Sequence, residues 1–136
     1  AGAVMLGTIA TAIKERLEGL AAFKVVERGF SRRALQAPPA AVFFLAADEL
    51  RTDMPSATRR LEWDVVLMVS YLDPEKGQAA METLIDQVRP AFTNWRPVAV
   101  GSLPASVPRI RFEATEDTLL IYSVRVVMDV FPNTIG

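Results

Sequence analysis

The sequence predicts an α+β fold: a mainly antiparallel sheet of about five strands with two helices packed on one face, in the order α-β-β-β-α-β-β. Three observations carry this. Two segments repeat apolar residues at helical spacing. Two others alternate strictly over many positions. The loops joining the strands after the first helix are too short for crossover helices, which favours antiparallel neighbours. At 136 residues the chain falls in the single-domain range, and it reads as one α+β domain over 1–136. Ala1 to Val4 read as a cloning remnant, with Met5 as the native start.

The first helix runs from Met5 to Leu20. Leu6, Ile9, Ile13, Leu17 and Leu20 are spaced 3, 4, 4 and 3 apart and so share one stripe. Gly19 weakens its last turn. Phe23 to Glu27 reads as a short strand ended by Gly29, and Phe30 to Pro39 as a loop, because Pro38-Pro39 fits neither helix nor central strand. Ala40 to Ala47, with Val42-Phe43-Phe44-Leu45 in a row, reads as a strand buried on both faces. A turn or loop is expected over Asp48 to Ala57.

The clearest strand is Arg59 to Leu72. Leu61, Trp63, Val65, Leu67, Val69 and Tyr71 fall on one face, while the other starts with Arg60, Glu62 and Asp64 and turns apolar at Val66 and Met68. Asp73-Pro74-Glu75 then has the order of a helix start: a capping carboxylate, proline at the first helical position, and an acid at the positive end of the dipole. Met81, Leu84, Ile85, Val88 and Phe92 form the stripe of this second helix, and Pro90 marks its exit. Thr93 to Pro108, rich in proline, is expected to be a long loop pinned by Trp95. Arg109 to Ala114 and Thr118 to Phe131 read as two strands of a hairpin, turned at Thr115-Glu116-Asp117 and ended by Pro132-Asn133-Thr134.

Composition narrows the function classes. Apolar residues make up 51% and charged residues 23% of the chain, as in globular proteins. The 15 basic and 16 acidic residues leave a net charge of −1, which gives no general attraction to nucleic acid or anionic membrane. The chain has no Cys and no His, so disulfides, thiolate chemistry and every His-dependent triad are impossible within it. No apolar run reaches the ~20 residues of a membrane span. The apolar start lacks a preceding basic region, so no signal peptide is expected.

No nucleotide-binding, phosphate-loop or zinc-protease motif occurs, and no cofactor is implied. Asp48-Glu49 and Asp53 form a small acidic cluster that could hold a hard cation, or simply face solvent. Glu116-Asp117 reads as turn chemistry, and Glu62 with Asp64 as an exposed strand face. Trp63, Tyr71, Trp95 and Tyr122 are the aromatic residues available to line a ligand pocket. Arg32-Arg33 and Arg59-Arg60 are basic pairs in or beside loops: either they are simply solvated, or they contact an acidic partner surface or nucleic-acid phosphates. Leu119 to Val130 is apolar on both faces, yet two helices cover one face of a sheet. Either a neighbouring subunit or a loop such as Thr93 to Pro108 covers the rest.

The helix before a strand ending Glu27-Arg28-Gly29, the strand PPAAVFFLAADE, the long strand RRLEWDVVLMVSYL, a helix, and a hairpin ending YSVRVVMDVF together resemble the phage tail terminator (tail completion, minor tail protein U-like) proteins of long-tailed phages and prophages. The resemblance spans about Met5 to Phe131 and lies in element order, length and strand character, so it implies no individual site residues. What it implies is a non-enzymatic virion subunit, assembled in the host bacterial cytoplasm. Such subunits form a hexameric ring that caps the tail tube, stops its elongation and joins tail to head. Its partners would be further copies of the chain, the tail tube protein and a head-completion protein, with DNA passing through the lumen. Arg32, Arg33, Arg59 and Arg60 would then be lumen or partner contacts. Two other readings stand beside this one. One is an adaptor or regulatory domain that binds a protein along a sheet edge or apolar sheet face. The other is a small-ligand or enzymatic domain with a pocket between sheet and helices.

Overall fold

The computed structural model describes residues 2–54, 57–97 and 101–131. Its elements are α1 (Gly2–Gly19), β1 (Val25–Arg28), α2 (Arg32–Gln36), β2 (Ala40–Leu50), β3 (Arg59–Ser70), α3 (Pro74–Phe92), β4 (Ser106–Glu116) and β5 (Leu119–Val130). The strands form one five-stranded sheet in the order β1-β2-β3-β5-β4. The turn expected at Pro55-Ser56 and the strand end expected at Pro132-Asn133-Thr134 lie outside the described residues, as does Ala1.

The two long helices form where the periodicity predicts them. Helix α1 takes in Gly2 to Val4 and stops at Gly19, with Ala21 in the left-handed region at φ 53°. Ile9, Ile13 and Leu17 are fully buried, and Leu6 and Leu20 pack at the edge of the same stripe. Helix α3 begins as its sequence prescribes: the Asp73 carboxylate accepts from the backbone N–H groups of Glu75 and Lys76, at 3.1 and 3.2 Å. It continues for two residues past Pro90. Gly77 is required near its start, because a Cβ there would stand 2.7 Å from the Tyr71 ring and 2.9 Å from the Ser70 carbonyl oxygen. The Arg16 Nε donates to the Ala91 carbonyl at 2.9 Å and ties the end of α1 to the end of α3.

Both helices lie on one face of the sheet. Leu61, Trp63, Val65, Leu67 and Val69 of β3, with Leu120, Val124, Val126, Met128 and Val130 of β5, meet Met81, Leu84, Val88 and Phe92 of α3 and the stripe of α1. This is the main core. The Phe43 and Trp63 rings pack at 6.4 Å, and Trp95 meets Phe92 edge-on at 5.2 Å.

Several expectations are corrected. The sheet is mixed: β1 runs parallel to β2. The Gly29–Pro39 connection is long enough to cross over because it folds into α2, a third helix where a plain loop is expected. Ser31 caps α2 by accepting from the Ala34 N–H at 3.1 Å, and Pro38-Pro39 bounds it. Strand β2 continues through Asp48 and Glu49 to Leu50, because those residues pair in register with Leu61, Arg60 and Arg59. Strand β4 begins at Ser106, ahead of Arg109. It tolerates Pro108 because it is an edge strand with a register shift at that point. The hairpin turn falls at Asp117-Thr118, with Asp117 at φ 52°. The described part of the Thr93–Pro108 loop lies along the sheet edge and not over its second face. The Ser102–Val130 bridge and the Leu103 N–H to Asp129 carbonyl bond hold it there.

Candidate functional site

The second face of the sheet is the one that α1 and α3 leave uncovered. Strand alternation sends Arg60, Glu62, Asp64, Val66 and Met68 of β3 to this face. Across from them on β5 stand Asp129, Val127, Arg125, Ser123 and Ile121. A bulge between Leu45 and Ala47 moves β2 by one residue, so Ala47 and Glu49 share this face with Val42 and Phe44. A second shift between Phe112 and Ala114 does the same to β4, where Arg109, Arg111, Ala114 and Glu116 line up opposite β5.

Cover on this face comes from α2 alone among the described residues. Buried Ala34 packs with Val25, Ala40, Val42, Val66, Met68 and Leu119 into a small second core. Beside it a groove of about 470 Å³ runs over β3, β5 and β4. Its apolar lining is Phe30, Phe44, Val66, Ala114 and Ile121; its polar lining is Asp64, Arg109, Arg111, Glu113, Glu116, Ser123 and Arg125. The Phe30 ring leans on Phe44 at 5.5 Å and is still 66% exposed.

Most of the polar lining is an ordered set of charge pairs. Arg125 donates from Nε to Asp64 at 2.5 Å and from Nη1 to Glu62 at 2.6 Å. These contacts, the Asp64 hydrogen bond first, hold the Arg125 guanidinium above its ordinary pKa. Arg111 donates to Glu113 at 2.8 Å, and the Ser123 hydroxyl donates to the same carboxylate oxygen at 2.7 Å. The Arg111 bond, then the Ser123 bond, depress the Glu113 pKa. Further along, Asp129 accepts from both Arg51 and Arg60, at 3.3 and 3.2 Å. Arg51 also binds Asp53 at 2.5 Å, and that contact draws the Asp53 pKa down to about 2.

The sequence candidates distribute as follows. Arg59 and Arg60 do not act together: Arg60 faces the groove side and pairs with Asp129, while Arg59 is sent to the opposite face and pairs with Asp48. Arg32 and Arg33 sit exposed on α2, with Arg33 at 3.4 Å from Glu27. Their α2 packs near Val66, ~20 Å along β3 from Arg60, so the two pairs form no common patch. The acidic cluster is dispersed, Asp48 to Arg59 and Asp53 to Arg51. Glu62 and Asp64 do share a face, and both serve Arg125. Trp63, Tyr71, Trp95 and Tyr122 line no common cavity among the described residues. Trp63 is core, and the Tyr122 hydroxyl accepts from Gln78. Among those residues there is also no helix long and apolar enough to cross a membrane.

Sequence reasoning missed Phe30, Arg109, Arg111 and Arg125 as neighbours. A signal was present for the β2–β3 pairing alone. Asp48-Glu49 and Arg59-Arg60 are oppositely charged and sit at matching distances from one turn, as cross-strand partners do. The chain matches no protein-family model and no curated protein sequence.

Proposed function

We propose that this protein is a structural subunit of a phage or prophage tail. In this reading it forms a ring that caps the tail tube, ends its elongation and offers the surface to which the head joins. The carrying observation is the uncovered second sheet face, where an aromatic residue as exposed as Phe30 stands beside apolar Phe44, Val66 and Ile121. A face of this kind is stable in water only at a cost in exposed apolar surface, and a neighbouring subunit removes that cost. The element order that resembles tail terminators supports the same reading. In a ring the contact is head-to-tail, so the patch that one copy contributes meets a different surface of the next. Arg32 and Arg33, exposed on α2 with Arg33 only loosely paired to Glu27 at 3.4 Å, suit a lumen better than Arg59 and Arg60, which are less exposed and more closely met by carboxylates.

An adaptor that adds a strand to the sheet edge is the weaker reading. Edge strand β4 carries Pro108, two register shifts and the charges of Arg109, Arg111, Glu113 and Glu116, all of which discourage strand addition. An adaptor working through the open face stays compatible with the groove.

The test is the mass of the purified full chain over a concentration series, by light scattering after size exclusion, with negative-stain imaging. Closed rings of about six subunits are the expected result. A chain that stays monomeric at every concentration, alone and with isolated tail tubes, overturns the reading.

A further inference from the structure

We infer that the groove on the open face binds an extended segment of a partner protein. That segment carries a carboxylate at one end, a basic residue at the other, and bulky apolar side chains between. This extends the reading of that face as a contact surface, and either can fail alone.

The charges argue for the carboxylate. In the β4–β5 register Arg109 stands directly across from Arg125. Like charges so placed destabilise a strand pair. Arg125 is turned away to Asp64 and Glu62 on β3, and Arg111 is engaged by Glu113. Arg109 itself makes no ion pair within 4.0 Å among the described residues. A carboxylate arriving from outside would meet it and relieve the repulsion. At the far end of the groove Glu116, opposite Leu119, is likewise without an ion pair among the described residues, and it invites a cation.

The length argues for a peptide. From Arg109 to Glu116 the strand covers ~20 Å, the reach of about six or seven extended residues. In the rows between the two charges stand Val66 and Ser123 beside Arg111, then Ile121 beside Ala114, while Phe44, with Phe30 against it, bounds the groove on the β2 side level with Arg109. An extended segment presents every second side chain to one side, so acid, apolar, apolar and base at alternate positions face the groove together.

Two amidated, acetylated probes test this: Asp-Thr-Phe-Thr-Leu-Thr-Lys, and the same peptide with Lys in place of Asp. Binding to the full chain is followed by fluorescence anisotropy and by backbone amide NMR shifts. The first peptide should bind about fivefold or more tighter than the second, with shifts along β4 and β5. Arg109→Glu should invert that preference. Phe30→Ser should weaken both peptides and leave their ratio unchanged. Both substitutions are at exposed positions, so the fold is retained. Equal binding of the two probes, or a preference that survives Arg109→Glu, overturns the inference. So does an absence of binding, including one in which Phe30 and Arg109 are buried against a second copy. A chain that stays monomeric alone and with isolated tail tubes, yet binds the first peptide, removes the ring reading and leaves this one standing. A ring whose groove takes no peptide does the reverse.

Discussion

The two faces of the sheet are made from alternate residues of the same strands, and they are different materials. On β3, Leu61, Trp63, Val65 and Leu67 are fully buried under two long helices, while Arg60, Glu62 and Asp64 lie on the face that, among the described residues, only α2 covers. Both are held in register by one set of backbone hydrogen bonds. The helix side is stabilised by apolar burial, which is non-directional and large. Outside the small core under α2, the open side is held by charge pairs, which are directional and small where water reaches them. Stability therefore belongs mainly to the first face. The second can change its side chains at little cost to the fold, which is what a binding surface needs.

That asymmetry can be broken or sharpened by measurement. The largest effect is expected from Phe92→Ala, which empties a fully buried position under the sheet. It should cost about 3–5 kcal/mol in urea or thermal unfolding, whereas Phe30→Ala on the open face should stay within about 0.5 kcal/mol. Equal losses would abolish the distinction. A middle effect belongs to Arg125→Met. It removes the shared partner of Asp64 and Glu62, which then repel each other on the same strand face. A loss of about 1–2 kcal/mol is expected from broken charge-assisted hydrogen bonds, much of it restored by a further Asp64→Asn. A loss as large as that of Phe92→Ala would mean that the open face is structural.

The smallest effect is a pH dependence at the Arg51–Asp53 contact. Its hydrogen bond lowers the Asp53 pKa from the ordinary 3.8 to about 2. The folded value is the depressed one, so the contribution of this contact is complete above about pH 4 and is lost as pH falls through about 2. An NMR titration should find Asp53 ionising in that range in the wild type and near 3.8 after Arg51→Met. An Asp53 that titrates near 3.8 in both proteins would show that the contact does not persist in solution.

The helix face was legible in the sequence because its signals are local and repeated. The stripes of α1 and α3, the Asp73-Pro74-Glu75 start and the alternation of β3 and β5 each lie within one element. The open face was less legible because it depends on offsets. One bulge at Ala46 reverses which side Asp48 and Glu49 take, and the shift near Glu113 does the same to the end of β4. Helix α2 escaped notice because its cap, Ser31, precedes only five helical residues and a proline pair. With it went the parallel pairing of β1, since a crossover was not foreseen. Arg109, Arg125 and Phe30 lie far apart in the chain. Their juxtaposition follows from strand order, which periodicity does not encode.

The irregular edge strand has a consequence for crowding. A net charge of −1 leaves the protein little electrostatic repulsion to keep its copies apart. An open, regular β4 would then let one sheet extend into the next without limit, as fibrils do. The proline, the two register shifts and the alternating charges of β4 remove that route. Copies of this chain brought to high local concentration therefore do not find in β4 a template for strand addition.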